Sequence, residues 1–122
     1  MRFPRVKYWP LLVGPVTLFA IGFVLNAIVI AANHGQMPVL WPGGCAALKD
    51  VQDAYAAMGG DDSIHTCMLQ ASHLKFLADW IHMSDGMYSV GDLFIMAYDY
   101  TFSAALIIWI ALHIKDHHDT QV

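Results

Sequence analysis

Twenty-five consecutive residues, from Tyr8 to Ala32, carry no charged side chain. As a helix this run reaches about 37 Å, more than the roughly 30 Å of hydrocarbon in a bilayer. Arg2, Arg5 and Lys7 ahead of it resemble the basic start of a secretory signal. A signal's apolar core, however, is roughly 7–15 residues long and ends at a small-x-small cleavage pattern. This run is longer and ends in Asn33-His34-Gly35. A retained transmembrane helix is therefore expected over residues 9–32. Pro10 and Pro15 fall in its first turns, where a missing N–H is best tolerated, and Pro15 is a candidate bend. Tyr8 and Trp9 mark an interface.

A second apolar segment is expected over residues 90–114. Ser89-Val90-Gly91-Asp92 reads as a capping box, in which the Ser89 hydroxyl accepts from the Asp92 amide and the Asp92 carboxylate reaches back to the Ser89 amide. Tyr88 and Leu93 occupy the hydrophobic-staple positions, and Asp92 suits the positive end of the helix dipole. Lys115 closes the segment, leaving a tail over 115–122. The composition agrees with this reading. The chain is 57% hydrophobic and 13% charged, about half the charge of a soluble domain. With a net charge of −4 and no basic stripe, nucleic acid is not an expected partner. All ten acidic residues are Asp, for which we have no physical account.

Basic residues set the expected orientation. Arg2, Arg5 and Lys7 precede the first segment and Lys115 follows the second, whereas the connector over 33–89 holds only Lys49 and Lys75 against six Asp. The positive-inside rule then puts both termini in the cytoplasm and the connector outside. The connector itself reads as folded. Ala46 to Met58 places Leu48, Val51, Tyr55 and Met58 on one helical face, stopped by Gly59-Gly60, and Asp61-Asp62-Ser63 is a turn. His73 to Ile81 reads as a second amphipathic helix, its polar stripe made of Ser72, Lys75, Asp79 and His82. Trp41, Phe76 and Trp80 are expected at a lipid or protein interface. The expected fold is thus all-α: two antiparallel transmembrane helices joined by an external loop with two short amphipathic helices.

Few residues in the chain suggest chemistry. Asp99 lies seven positions inside Asp92, and an intramembrane carboxylate costs roughly 2.5–3.5 kcal/mol even on a lenient scale. Asn26 lies seven positions inside Asn33 on the other segment, so an antiparallel pair predicts a hydrogen bond between Asn26 and Asp99. The plainer reading leaves Tyr98-Asp99-Tyr100 in the interfacial zone. Cys45 and Cys67, the only cysteines, are expected to form a disulfide around the first loop helix; the competing reading is two buried thiols. His65, Cys67 and His73 match no tight zinc spacing. His113, His117 and His118 read as a solvated helix end. His34 and His113 lie at opposite surfaces, so one copy cannot ligate haem between them. No metal site, catalytic constellation, small-molecule substrate or resident cofactor is expected, although bound lipid or pigment is left open.

Asn33, Gly35, Met37, Pro38 and Val39, followed by Leu74, Leu77 and Asp79 and then by Ser89, Gly91 and Asp92, carry a resemblance. Over about residues 21–114 the chain resembles an uncharacterised family of small bacterial membrane proteins, a domain of unknown function. That family's pattern is an apolar helix ending Asn-Gly-Gly-x-Met-Pro-Val, a Leu-x-x-Leu-x-Asp-like segment and a Ser-x-Gly-Asp helix start. His34 replaces the first Gly of the pattern, and the extra leading helices of many relatives are not expected here. The resemblance implies an architecture and no activity. The expected function is a non-catalytic accessory subunit of a larger membrane complex, whose partners are the bilayer and other integral membrane subunits. The rivals are a self-assembling, holin-like pore and an ion or proton conduit through Asp99.

Overall fold

The computed structural model describes residues 8–121. Arg2, Arg5 and Lys7, on which half of the orientation argument rests, lie outside the described residues.

The chain starts as a 3-10 turn, Trp9–Leu12, which runs into α1, Val13–Ala32. Pro15 falls at the third position of α1, where its missing N–H is one the helix end could not use. α1 ends where the amide of Gly35 reaches back 2.9 Å to the Ile30 carbonyl. His34 sits between them with φ of 59°, the left-handed position that glycine usually fills in such a stop. α3, Val90–Asp119, opens at the capping box, with both reciprocal hydrogen bonds present. The helix does not stop near Ile114. No Gly or Pro follows Gly91 in the sequence, and His117 and His118 in the last turn suit the negative end of the dipole. The expected tail is therefore helical to Asp119. Both α1 with its leading turn and α3 are long and apolar enough to cross a membrane.

The two helices pack antiparallel, as their contacts show. Tyr8 donates to the Asp116 carboxylate at 2.6 Å, and Phe19 packs on Tyr98 with ring centroids 5.1 Å apart. Near one end, Gly22 and Gly91 let the backbones touch. A Cβ on Gly22 would come within 2.5 Å of the Gly91 carbonyl oxygen, and one on Gly91 would strike Asn26. Small residues at a helix crossing permit this approach.

The connector is mixed in structure. β1, Met37–Val39, is fully buried and runs parallel to β2, His65–Cys67. α2, Gly44–Ala57, links them and ends at Gly59-Gly60, where the Gly60 amide reaches the Tyr55 carbonyl. A disulfide between Cys45 and Cys67, with Cα atoms 5.3 Å apart, ties α2 to β2. Val29 of α1 forms a small core with Met37 and Ala78, against which Met68, Leu74 and Leu77 pack.

The expected helix over His73–Ile81 is not there. It is replaced by a short 3-10 turn, Lys75–Leu77, then by an extended stretch and a hairpin of β3, Ile81–Met83, and β4, Gly86–Tyr88. Two tertiary contacts override the helical spacing. The Asn33 side chain accepts from the His73 amide at 2.8 Å and donates to the His73 carbonyl at 2.9 Å. Asp79 is drawn onto the free edge of β1, its amide donating to the Pro38 carbonyl and its carbonyl accepting from the Leu40 amide. Leu74 takes a left-handed conformation, φ 52°, which turns the chain at the core. The molecule is therefore mostly helical, with two small sheets, rather than all-α.

Two outcomes follow. Gly91→Ala is expected to lower the unfolding free energy by about 1–3 kcal/mol through overpacking, measured by thermal denaturation in detergent; an unchanged melt would contradict the glycine contact. Removing the disulfide with Cys45→Ser/Cys67→Ser should cost about 3 kcal/mol for a closed loop of this length. Tryptic cleavage after Lys49 or Lys75 should then accelerate.

Candidate functional site

Polar side chains are concentrated at two neighbouring places, the joint between the helices and a cleft in the connector. At the joint, Asn26 donates from Nδ2 to Asp92 Oδ1 at 2.7 Å and accepts from the Ser89 hydroxyl at 2.7 Å. Ser89 Oγ accepts from the Asp92 amide, and Asp92 Oδ2 accepts from the Ser89 amide, each at 3.0 Å. Four hydrogen bonds close a ring, so the capping box of one helix is also the docking point of the other. Ser89 is completely buried, and a buried hydroxyl is affordable only when its bonds are met.

This ring corrects the Asn26–Asp99 pairing. Asn26 stands level with Asp92, which leaves Asp99 seven residues, or about 10 Å, further along α3. Asp99 is exposed. The offset arises because the last two turns of α1 run beyond the start of α3 and pack Val29 and Ile30 under the connector. Aligning the helix ends, as the sequence invites, places the register two turns off.

The cleft lies between α2, the segment leading into β2, and the edge of β1. Its volume is about 550 Å³. Apolar walls come from Trp41, Leu48, Val51 and Tyr55, while His65, Asp62 and Asp79 supply its polar side. Asp62 Oδ1 contacts His65 Nδ1 at 2.5 Å, and Gln52 donates to Asp62 Oδ2 at 3.3 Å and to the His65 carbonyl at 3.0 Å. The other ring nitrogen, His65 Nε2, lies 3.6 Å from Asp79 Oδ2. Asp79 is only 4% exposed, and its Oδ1 has no hydrogen-bond partner among the described residues.

The two carboxylates are pushed in opposite directions. Burial alone would raise Asp62, but hydrogen bonds from His65 and Gln52 outweigh it and hold the group below the usual carboxylate value. Burial, helped by repulsion from Asp92 and partly offset by His65, pushes Asp79 up to about 7. The arrangement can exchange a proton at Asp79 near neutrality, or hold a positive group there. Among the described residues no three His, Cys or Asp side chains converge as metal ligands. Asp62 and Asp79 address opposite ring nitrogens, Cys67 is in the disulfide, and the His73 backbone is held by Asn33.

Of the residues singled out from the sequence, Ser89 and Asp92 meet Asn26, Cys45 meets Cys67, and Trp41 borders the cleft. Phe76 is 66% and Trp80 46% exposed, with the indole N–H of Trp80 donating to the Phe76 carbonyl. The grouping of Gln52, Asp62, His65 and Asp79 was not anticipated. Asp79 stands in the family pattern and in the polar stripe of the expected helix, and neither points to a buried position.

A raised carboxylate destabilises the fold as it ionises. The unfolded chain releases the Asp79 proton near the ordinary value of 3.8, and the folded chain holds it to about 7. Stability from this group is full below the lower value and is lost as pH rises through the higher one. Asp62 works oppositely and only in acid, its contribution disappearing as pH falls below the carboxylate range. Connector stability, followed by proteolysis, should therefore decline between about pH 4 and 7. Asp79→Asn should flatten that decline; an equal slope in the variant would refute the assignment.

No curated protein and no solved structure matches the chain. A family model described as a family of unknown function matches residues 12–110, from the first turn of the apolar pair to near its far end. That range holds α1, the first two thirds of α3, the whole connector and every residue of the cleft, and the chain belongs to this family of unknown function, DUF5317.

Proposed function

We propose that the chain is a non-catalytic accessory subunit of a larger integral membrane assembly, crossing a bacterial inner membrane twice with both termini in the cytoplasm and the connector outside. The observation that carries this reading is Asp99. Its side chain is exposed on an otherwise apolar helix. In hydrocarbon such a group costs roughly 2.5–3.5 kcal/mol unless a partner or the interface receives it. A neighbouring subunit offering a donor at that depth would supply the partner. The connector adds support, since Phe76, Met58 and Leu69 are 66%, 79% and 59% exposed on a small folded unit. Apolar surface of that kind usually marks a contact. The subunit would brace its neighbours or hold lipid between them.

Purification of the tagged chain from its native membrane in mild detergent tests this. The expected result is a defined complex that Asp99→Leu dissociates while the variant chain keeps its own melting temperature. A monodisperse single chain from native membrane, indifferent to Asp99→Leu, would overturn the reading.

A further inference from the structure

We propose that the connector cleft is a binding site for a small organic cation, a primary ammonium group on an apolar body, with the ammonium seated on Asp79. Three features of the cleft select this chemistry. Among the described residues the acids lining it are Asp61, Asp62 and Asp79, and neither Lys nor Arg joins them. Both Asp62 oxygens already have donors in His65 and Gln52, so an incoming N–H recovers less there than at an oxygen with none. Asp79 Oδ1 is buried and lacks a partner among the described residues. Its side chain is 6% exposed and lines the cleft.

A buried acceptor left without a donor costs free energy that an incoming N–H would recover. A cation would also favour the ionised carboxylate over the protonated one, so ligand and charge stabilise each other. A metal ion is a poorer occupant, because the carboxylates lie on opposite sides of the imidazole and do not converge. The remaining walls fit a hydrocarbon or aromatic body. Trp41 and Tyr55 offer ring surface to a cation, and Leu48 and Val51 offer apolar contact. The volume of about 550 Å³ is within the usual range for small-molecule sites. Asp79 is placed there by β1, whose Pro38 carbonyl and Leu40 amide hold its backbone at 3.0 and 2.8 Å.

The test uses the full chain in phosphatidylcholine nanodiscs and calorimetric titration with benzylamine at pH 7.5, with empty nanodiscs as the blank. Saturable one-to-one binding is expected, with benzyl alcohol, of nearly the same shape but neutral, at least tenfold weaker. Asp79→Asn should lose at least tenfold in affinity for benzylamine. Asp53→Asn, which removes an equal charge from the exposed face of α2, should leave it unchanged. Equal affinity for amine and alcohol, an unaffected Asp79→Asn protein, or no saturable heat would each overturn the proposal. Should Asp79→Asn fail to fold, the amine-to-alcohol ratio on the native chain still decides. The site lies within one chain, so the outcome is independent of the subunit reading.

Discussion

The hydrogen-bonded ring of Asn26, Ser89 and Asp92 fixes where the two long helices meet, and the rest of the molecule is arranged from that point. Apolar helix faces alone can slide and rotate against one another with little penalty, because one apolar contact replaces another. A polar ring with every bond met permits one register. Gly22 and Gly91 make the ring geometrically accessible by removing the side chains that would hold the backbones apart. The ring and the glycines cannot be separated: a Cβ on Gly91 would meet the amide of Asn26 itself.

From this register comes the overhang of α1. Its last turns, carrying Val29, Ile30 and Asn33, rise past the start of α3 and become part of the connector's core. Val29 supplies apolar contact, and the Asn33 side chain clamps the His73 backbone on both its amide and its carbonyl. The connector is thus built on the end of a helix rather than suspended between two. β1 then serves as its axis, with β2 on one edge and Asp79 on the other. The disulfide adds a covalent tie between α2 and β2, and limits how far the walls of the cleft separate in the unfolded ensemble.

The same construction explains why Asp79 is so uncomfortable. Its backbone completes β1, so its side chain must enter the space under α2, where water is scarce and Asp92 repels it. A carboxylate in that position persists because the neighbouring backbone over-determines it. His65, oriented by Asp62, partly compensates one oxygen and leaves the other unmet. Among the described residues that oxygen is the one buried side-chain acceptor without a partner, which is more informative about function than the acidic composition of the connector as a whole.

What the sequence determined by itself was everything set by local chemistry and periodicity. The length of two apolar runs, the first without a charge and the second interrupted inside only by Asp99, gave the helices; Ser89 to Asp92 gave the cap, Gly59-Gly60 gave the end of α2, and two cysteines gave a single pairing. Where the reading failed, residues distant in the chain had outvoted local preference. Leu74, Leu77 and Ala78 lie on one side at helical spacing, yet the same residues reach the core from a 3-10 turn and an extended stretch, and periodicity cannot separate the two. The hairpin turns at Ser84-Asp85, and Asp85 with Gly86 directly after it was the available, weak sign of it. The pairing of Asn26 with Asp92 instead of Asp99 and the overshoot of α1 past α3 are a single choice of register, the one in which the polar ring closes while Val29 packs beneath the connector. No single segment carries that quantity, and only the assembled tertiary structure decides it.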